Sequence, residues 1–219
     1  MHAIKGSLNE QHRQWEQIFT EEPDLYGQNP SAPARYAAET FKREGVVRIL
    51  ELGGGQGRDT LYLAREGFDV TVLDYAKSGI DGINRRTTES GLTGRINAIV
   101  HDIRTPFPFE ENSFDACFSH MLLCMALTTA ELAALSSEVL RVLKPGGYHI
   151  YTVRHTRDPH YGQGIHRGEE IYQTGGFAVH FFNRGKVHLL ADGFTIVDVE
   201  EFEEGELPRK LFQVTLIKL

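Results

Sequence analysis

A short aliphatic run near residue 50 leads directly into a cluster of glycines. Residues 46–52, Val-Val-Arg-Ile-Leu-Glu-Leu, have the length and composition of a buried strand. The next five residues contain four glycines, Gly53, Gly54, Gly55 and Gly57. Residues 58–66 carry apolar side chains at helical spacing and stop at Gly67, a residue type that commonly follows a helix. This order predicts an α/β unit whose loop backbone can approach a ligand, with helix-start amides that attract a carboxylate or phosphate.

Three glycine-loop motifs compete for this segment, and their spacing separates them. A phosphate-binding G-x-x-x-x-G-K-[ST] loop needs a lysine followed by Ser or Thr, and the segment has neither. A dinucleotide G-x-G-x-x-G fingerprint that begins at Gly53 meets Arg58 where its third glycine should stand. The residues instead spell acid-x-Gly-x-Gly-x-Gly from Glu51 to Gly57. A glycine-rich turn without a ligand is the remaining alternative.

This pattern resembles the first strand and loop of the class I S-adenosylmethionine-dependent methyltransferases. The resemblance covers roughly residues 46–219, and its second specific point is Leu-Lys-Pro-Gly-Gly at 143–147. It implies S-adenosylmethionine as the cofactor, with Glu51 and the four loop glycines among its contacts. The polar block 155–182 and the ending 204–209 also look similar to small-molecule methyltransferases of the tellurite-resistance and thiopurine type.

Strand-like and helix-like segments alternate along the chain from residue 46. Five strands are expected, at 46–52, 67–74, 96–100, 113–119 and 148–153. The alternation predicts a doubly wound α/β sheet of parallel strands joined by crossover helices. Two closing strands, 193–199 and 211–218 after Pro208, match the antiparallel hairpin of the resembled family, which implies a seven-stranded, mostly parallel, Rossmann-like sheet. We expect N-terminal helices and a lid loop in 1–45, and the methyltransferase domain in 46–219.

An acidic residue ends the second expected strand. Asp74 lies 21 residues after Gly53, close to the spacing of about 20 residues at which an acid accepts the ribose hydroxyls of an adenosine group. Tyr75 follows it, either as an aromatic face for the adenine or as a surface tyrosine at a helix start. The resemblance further implies that Asp102 accepts a hydrogen bond from the adenine amino group and that Ile103 packs on the ring.

The fourth strand is expected to end beside the reacting groups, because ligands bind beyond the carboxyl ends of strands in open α/β sheets. Ser119 is assigned there to cofactor contacts. His120 is a catalytic candidate that would orient or deprotonate the substrate, and the alternative is a histidine that caps the next helix. That helix is expected to begin with Thr129 as its cap.

The N-terminal region is expected to cover the site. Residues 8–20 predict an amphipathic helix with Leu8 and Trp15 on its apolar side, Trp15 being a packing anchor. In the resembled family, segments before the first strand often fold over the cofactor, so Tyr26 and Arg35 are candidate contacts of the methyl donor or the substrate. A solvated connector is the alternative.

The periodic pattern of hydrophobic residues that predicts strands and helices is absent between residues 154 and 182. Four of the ten histidines fall in this segment, and so long a loop in a compact domain is usually functional or disordered. We expect it to form the substrate wall, with His155 as a second catalytic candidate. Four further substrate contacts are expected, Arg157, His166, Tyr172 and His180. No histidine pair has the tight helical spacing with a carboxylate that would argue for zinc, so no metal is predicted. A helix is expected at 181–190 and a solvated turn at 200–206.

Charge and composition narrow the class of partners. The chain has a formal net charge of −7 and no cluster of Lys and Arg longer than a pair, so nucleic acid is not expected as a partner. There is no run of about 18 apolar residues and no signal-peptide-like start, so no membrane association is expected. Cys117 and Cys124 lack C-x-x-C spacing, which fits a reducing, cytoplasmic location. The sequence does not indicate an oligomeric state.

The expected reaction is a direct displacement, in which an O, N, S or chalcogen atom of a small-molecule acceptor attacks the donor methyl group in line. Proximity and orientation can supply most of the catalysis, so a base is optional. His120 or His155 would accept the proton of a hydroxyl or amine, and Arg154, Arg157 or Arg167 would hold an anionic acceptor. The alternatives are a non-catalytic cofactor-binding regulatory subunit, a protein methyltransferase, and a nicotinamide-dependent oxidoreductase, for which no Tyr-x-x-x-Lys relay is found.

Overall fold

The computed structural model describes residues 2–205 and 209–219, with side chains from residue 11 onward. The side chain of Leu8, predicted on the apolar side of the first helix, lies outside this description. Residues 206–208 also lie outside it, and they include Pro208 and the end of the predicted solvated turn.

The described residues form six helices and ten strands. The helices are α1 His2–Glu21, α2 Ala32–Arg43, α3 Arg58–Arg65, α4 Lys77–Glu89, α5 Thr129–Val142 and α6 Arg184–Leu190. The strands are β1 Arg48–Leu52, β2 Asp69–Asp74, β3 Ile96–Val100, β4 Phe114–His120, β5 Leu143–Arg154, β6 Ile165–Gly168, β7 Ile171–Thr174, β8 Phe177–His180, β9 Phe194–Glu204 and β10 Arg209–Lys218. Within this part of the chain, no helix has both the length and the apolar character needed to cross a membrane.

Seven of the strands form one sheet in the order β3-β2-β1-β4-β5-β10-β9. β1 to β5 pair in parallel, and β10 pairs antiparallel with both β5 and β9. Successive side chains of a strand point to opposite faces, so Ile49 packs with Ala37 of α2 and Leu63 of α3, whereas Leu50 belongs to the cluster of Leu135 on α5. Helices therefore cover both faces, which confirms the predicted doubly wound sheet with its closing hairpin.

Three local predictions differ from the structure. The α5 cap is Thr128 instead of Thr129, and Glu131 completes a capping box with it. α6 begins at Arg184, after Asn183 accepts a hydrogen bond from the Lys186 amide. The acidic segment 200–204 belongs to β9 and is no solvated turn, because ten residues of β10 pair along that strand and satisfy its backbone.

The segment 154–182 also differs from its prediction as a loop. β6, β7 and β8 form a separate antiparallel sheet in that order. Two tight turns connect them, Glu169-Glu170 between Gly168 and Ile171, and Gly175-Gly176 between Thr174 and Phe177. All four turn residues have left-handed φ values, 54° and 66° for the glutamates and 58° and 87° for the glycines. Positive φ values at both central residues are what the turn of a two-residue β-hairpin requires.

Candidate active site

The glycine loop follows β1 and is held to the end of β2 by hydrogen bonds from its backbone amides. The Gly53 amide donates to the Leu73 carbonyl at 2.8 Å, and the Gly55 amide donates to Asp74 Oδ2 at 2.8 Å. Both glycines have left-handed φ values, 72° and 54°, which side-chain-bearing residues rarely adopt. The loop therefore exposes its backbone to the space above the carboxyl ends of the strands.

Asp74 is a buried carboxyl group that is bound by the backbone on two sides. Its Oδ1 accepts from the Ala76 amide at 2.8 Å, in addition to the Gly55 amide at Oδ2. Burial raises its pKa, and the two amide hydrogen bonds counteract that rise. Each carboxylate oxygen can accept a second hydrogen bond, so two acceptor positions remain for a ligand.

Tyr75 follows Asp74 and connects this segment to α1. Its ring stacks on His12 of α1 with centroids 4.5 Å apart. A ring nitrogen of His12 lies 3.0 Å from the Tyr75 carbonyl oxygen, to which it donates. α1 is therefore attached directly to the segment after β2.

Glu51 is the acidic residue of the motif and is almost completely buried. Burial raises its pKa to about 8, so the neutral form predominates at neutral pH. Its Oε2 has no hydrogen-bond partner in the described part of the chain. A buried carboxyl oxygen without a partner is costly, and it fits a site where a ligand supplies the missing interaction.

A cavity of about 420 Å³ opens above the glycine loop. Glu51, Asp74, Tyr75 and three loop glycines line it, and we call them the first wall; lining residues from other strands, among them His120, Arg154 and Glu204, are called the second wall. Trp15 and Phe19 of α1, Met125 and Phe177 contribute apolar lining. This space is the first cavity, and it brings together groups from both ends of the chain.

His120 lies at the end of β4 and has partners at both ring nitrogens. Nε2 is 3.3 Å from Glu204 Oε2, and Nδ1 is 2.9 Å from Thr152 Oγ1. Because a carboxylate only accepts, Nε2 carries the proton in the neutral ring and Nδ1 accepts from the threonine hydroxyl. The hydrogen bond from His120 lowers the pKa of Glu204. The next residue, Met121, has a φ of 60°, so the chain is strained where it turns into the cavity.

A second cavity of about 480 Å³ adjoins the first. The two share four lining residues, Arg154, Phe177, Val179 and Arg209. β7 contributes Tyr172 and Thr174 to the wall, and the shared residues Phe177 and Val179 belong to β8. The segment predicted as a substrate wall therefore lies beside the first cavity as folded sheet.

The structure brings together part of the predicted site. The first cavity is lined by eight residues of the predicted site, Tyr26, Glu51, Gly53, Gly54, Gly55, Asp74, Tyr75 and His120, and Tyr172 lines the second. Arg154, one of the three arginines considered for an anionic acceptor, lines both.

The other predicted residues lie outside the lining of both cavities within the described chain. Gly57 precedes α3, where a β-carbon would approach Ile83 Cγ1 to 2.6 Å, and Ser119 is fully buried. Asp102 is engaged by the Arg104 guanidinium, with Nε at 2.9 Å from Oδ1, and Ile103 packs against the core.

Among the predicted substrate and catalytic residues, five also lie apart from the two cavities as described. His155 accepts from the Arg157 amide at 3.0 Å and packs on Phe212. Arg157 itself pairs with Glu201 at the surface, and Arg35 is exposed. His166 stacks on Tyr172 with centroids 4.8 Å apart. His180 is buried, and its pKa is lowered to about 4, chiefly by burial.

Several lining residues were missed by sequence reasoning. Trp15 was expected only to pack, yet it lines the cavity between Phe19 and Phe177, with ring centroids 5.3 and 5.1 Å away. Glu204 ends β9 and Arg209 begins β10. The one available signal was Gly175-Gly176, a dipeptide typical of two-residue hairpins, which would have brought Phe177 into a strand.

The chain is similar to known methyltransferases in sequence and in structure. Residues 49–147 match the family model described as a methyltransferase domain. An uncharacterized methyltransferase of Mycobacterium tuberculosis is 32% identical over 147 residues, 67% of this chain and 55% of that protein. A solved SAM-dependent methyltransferase of Methanosarcina mazei is 25% identical, with a TM-score of 0.65 over 78% of this chain and 92% of that one.

A second solved structure agrees in fold over almost the whole chain. It is the 1,6-didemethyltoxoflavin-N1-methyltransferase of Burkholderia thailandensis, with bound 1,6-didemethyltoxoflavin and S-adenosylhomocysteine. Its TM-score is 0.74 at 18% identity, and the match covers 99% of this chain and 89% of that one. At this identity the likeness is one of fold.

The matched domain, the sheet order and the glycine loop with Asp74 together define a methyltransferase-domain protein. The chain belongs to the class I S-adenosylmethionine-dependent methyltransferases, which confirms the family predicted from the glycine motif. It spans between 20% and 55% of the length of the curated relatives it matches.

Proposed function

We propose that this chain transfers the methyl group of S-adenosylmethionine to a small-molecule acceptor. The observation that carries the proposal is the first cavity, in which the glycine loop and Asp74 face the same space as His120 and Arg154. A donor and an acceptor held there would share one enclosure. The named acceptor of the Burkholderia thailandensis relative in fold is a small heterocycle, which supports an acceptor of this size.

The residues of the first wall fit such a donor. Asp74 keeps two acceptor positions for ribose hydroxyls, and Glu51 keeps an unpartnered Oε2 for a cationic group. Tyr75 offers an aromatic face beside them. When bound, S-adenosylmethionine supplies a methyl group on a sulfonium, which passes to the acceptor nucleophile as the S–CH₃ bond breaks and S-adenosylhomocysteine leaves.

The chain's own contribution is enclosure and positioning. Trp15, Phe19 and Phe177 give the cavity an apolar lining, and fixed walls hold two reactants in one orientation, which can supply most of the rate. For a hydroxyl or amine acceptor, His120 takes up the released proton at Nδ1, while Glu204 holds the ring through Nε2. Thr152 would then give up its hydrogen bond to Nδ1.

The region 1–45 is part of the proposal as a lid over this cavity. α1 contributes Trp15 and Phe19 to the lining, and Gln11 of α1 lies 3.4 Å from the Ala178 carbonyl of β8. A cytoplasmic setting is also proposed, and its support is that Cys117 and Cys124 are both free thiols, as expected in a reducing compartment.

The test is a parallel calorimetric titration of the purified protein with S-adenosylmethionine, S-adenosylhomocysteine and NAD⁺. We expect micromolar binding of the first two and none of the third. Incubation with the methyl donor and panels of small thiols, phenols, amines and chalcogen oxyanions should then yield a methylated product. Binding of NAD⁺ alone would contradict the proposal. Donor binding without turnover of any acceptor would favour the non-catalytic subunit.

A further inference from the structure

The second cavity is lined by a positively charged side chain, Arg154, that other protein groups hold in one orientation. Arg154 lies at the end of β5, lines both cavities, and its side chain is only 10% exposed. Its Nε donates to Asp158 Oδ2 at 3.0 Å, and its Nη2 donates to Asp158 Oδ1 at 2.5 Å. Nη2 also lies 2.8 Å from Nδ1 of His160. In the described residues no group accepts a hydrogen bond from Nη1.

Asp158 is held as firmly as the arginine that it orients. Its side chain is fully buried, and its two oxygens accept from the backbone amides of His160 and Lys210, each at 2.9 Å. Burial alone would raise the pKa of Asp158, but the hydrogen bonds from Arg154 and then from these two amides keep it below its ordinary value. The carboxylate therefore stays ionised and keeps the Arg154 fork in one orientation, so little ordering is required when an anion binds.

The remaining wall of the second cavity is largely aromatic. Tyr172, Phe177 and Phe181 line it, and the Arg154 guanidinium carbon lies 5.2 Å from the centre of the Phe181 ring. Arg209 adds a second positive side chain where the two cavities meet. A flat apolar body and an anionic group are the two features that such walls can recognise together.

The other arginines of the segment are engaged elsewhere. Arg157 pairs with Glu201, and Arg167 donates to Gln173 Oε1 at 2.8 Å. Neither lines a cavity in the described chain. Of the three arginines that the sequence offered for an anionic acceptor, the geometry selects Arg154.

We propose that the second cavity is the acceptor pocket and that it takes an aromatic molecule carrying an anionic group. The anionic group binds Arg154 and Arg209, and the ring packs against Tyr172, Phe177 and Phe181. That the bound molecule is the methyl acceptor rests on the proposed methyl transfer. The preference for an aromatic anion rests only on the residues that line the second cavity.

The only tryptophan of the chain provides the readout. Trp15 lies 5.1 Å from Phe177, the shared residue of both cavities, so its fluorescence should change when the second cavity fills. Calorimetry with S-adenosylhomocysteine comes first. If S-adenosylhomocysteine does not bind, the proposed function fails, and that result is separate from the test of this inference. Benzoate and its neutral analogue benzamide are then titrated, both with and without S-adenosylhomocysteine.

We expect benzoate to bind about tenfold more tightly than benzamide, the size of one charge-assisted contact. Arg209→Gln should reduce that preference without disturbing the buried ion pair. The double variant Arg154→Met/Asp158→Leu should abolish it, because it removes the pair without leaving an unpaired charge. Arg85→Met, an exposed arginine of α4 that pairs with Glu89, is the control and should keep the preference. Equal affinity for the two probes, no binding of either, or an unchanged preference in both cavity variants would overturn the inference.

Discussion

On the glycine-loop side of the first cavity the loop is fixed by backbone amides, whereas the second wall is built from side chains of five separate strands, of which four contribute polar groups. The loop amides of Gly53 and Gly55 reach only β2, which lies about 20 residues away in sequence. The second wall includes His120 from β4, Arg154 from β5, Phe177 from β8, Glu204 from β9 and Arg209 from β10. The first wall therefore depends on where the backbone runs, and the second on which side chains are present.

This difference predicts opposite sensitivities to mutation. Added atoms should damage the first wall most, because its backbone leaves no room for them. Lost functional groups should matter more at the second wall, where substitutions change chemistry with little effect on the fold. The two walls can be tested separately, since donor affinity reports on one and turnover on the other.

The largest effect is expected from Gly79→Ala. Gly79 lies in α4 outside the glycine motif, yet a β-carbon there would overlap the carbonyl oxygen of Gly55. The loop would have to move, so we expect donor affinity to fall about 100-fold and the free energy of unfolding to fall by about 3 kcal/mol, the upper range for overpacking. Calorimetry and urea denaturation measure the two quantities.

Gly82→Ala is the matched control in the same helix. A β-carbon at Gly82 meets no atom within 4 Å, so donor affinity should be retained. Stability should rise by about 0.5–1 kcal/mol, because alanine is the better helix former. Equal behaviour of the two variants would contradict the close approach of α4 to the loop.

The next largest effect is expected from Asp74→Asn. The amide nitrogen of asparagine cannot accept from Gly55 or Ala76, and it removes an acceptor from the ribose site. We expect donor affinity to fall by about 1–3 kcal/mol. Asp69→Asn, at the exposed start of the same strand and paired with Arg95, should leave it unchanged. A similar loss in both variants would assign the effect to β2 and not to the ribose contact.

Much of the first wall was predictable because its residues lie in a short stretch of sequence with a recognisable motif and spacing. Glu51 lies one residue before the end of β1 and Asp74 ends β2, and the carboxyl ends of parallel strands meet at one edge. The glycine motif indicated Glu51, and the spacing from Gly53 indicated Asp74. Glu204 was not predictable in this way. Its place beside His120, 84 positions away in sequence, depends on the register of β9 against β10 and of β10 against β5.

The β6–β8 sheet escaped prediction for a different physical reason. Its strands have only four residues each, too few for an alternating pattern to stand out. One of its turns uses Glu169-Glu170 at left-handed φ values, where side-chain-bearing residues are uncommon and glycine or asparagine is the usual signal. Tertiary packing of Ile171 and Ala178 against Ala126 supports the arrangement instead.

Glu51 gives the first wall a specific dependence on pH. Burial raises its pKa to about 8 from an ordinary 4.5, so the folded protein keeps a proton that the unfolded chain releases. The contribution of this group to stability is fully present below about pH 4.5 and is lost as pH rises towards 8. Glu51→Gln removes this loss, and we expect it to gain about 1–3 kcal/mol relative to the wild type between pH 5 and pH 8. Urea denaturation at both pH values checks this, and parallel pH profiles would contradict it.

The smallest effect is expected at the second wall, from Glu204→Gln. The carboxylate of Glu204 accepts from His120 Nε2 and so selects the tautomer whose Nδ1 can take a proton. A glutamine keeps the shape but can also donate to Nε2, which leaves the tautomer unselected. We expect kcat to fall about three- to tenfold, less than the roughly 100- to 10,000-fold attributed to a proton-transfer group itself, because His120 is retained, while the donor dissociation constant stays the same. Glu203→Gln, whose carboxylate points away and pairs with Lys210 at the surface, should leave kcat unchanged. If Glu204→Gln weakened donor binding instead, the two walls would not be separable, because Glu204 would then belong to the donor side.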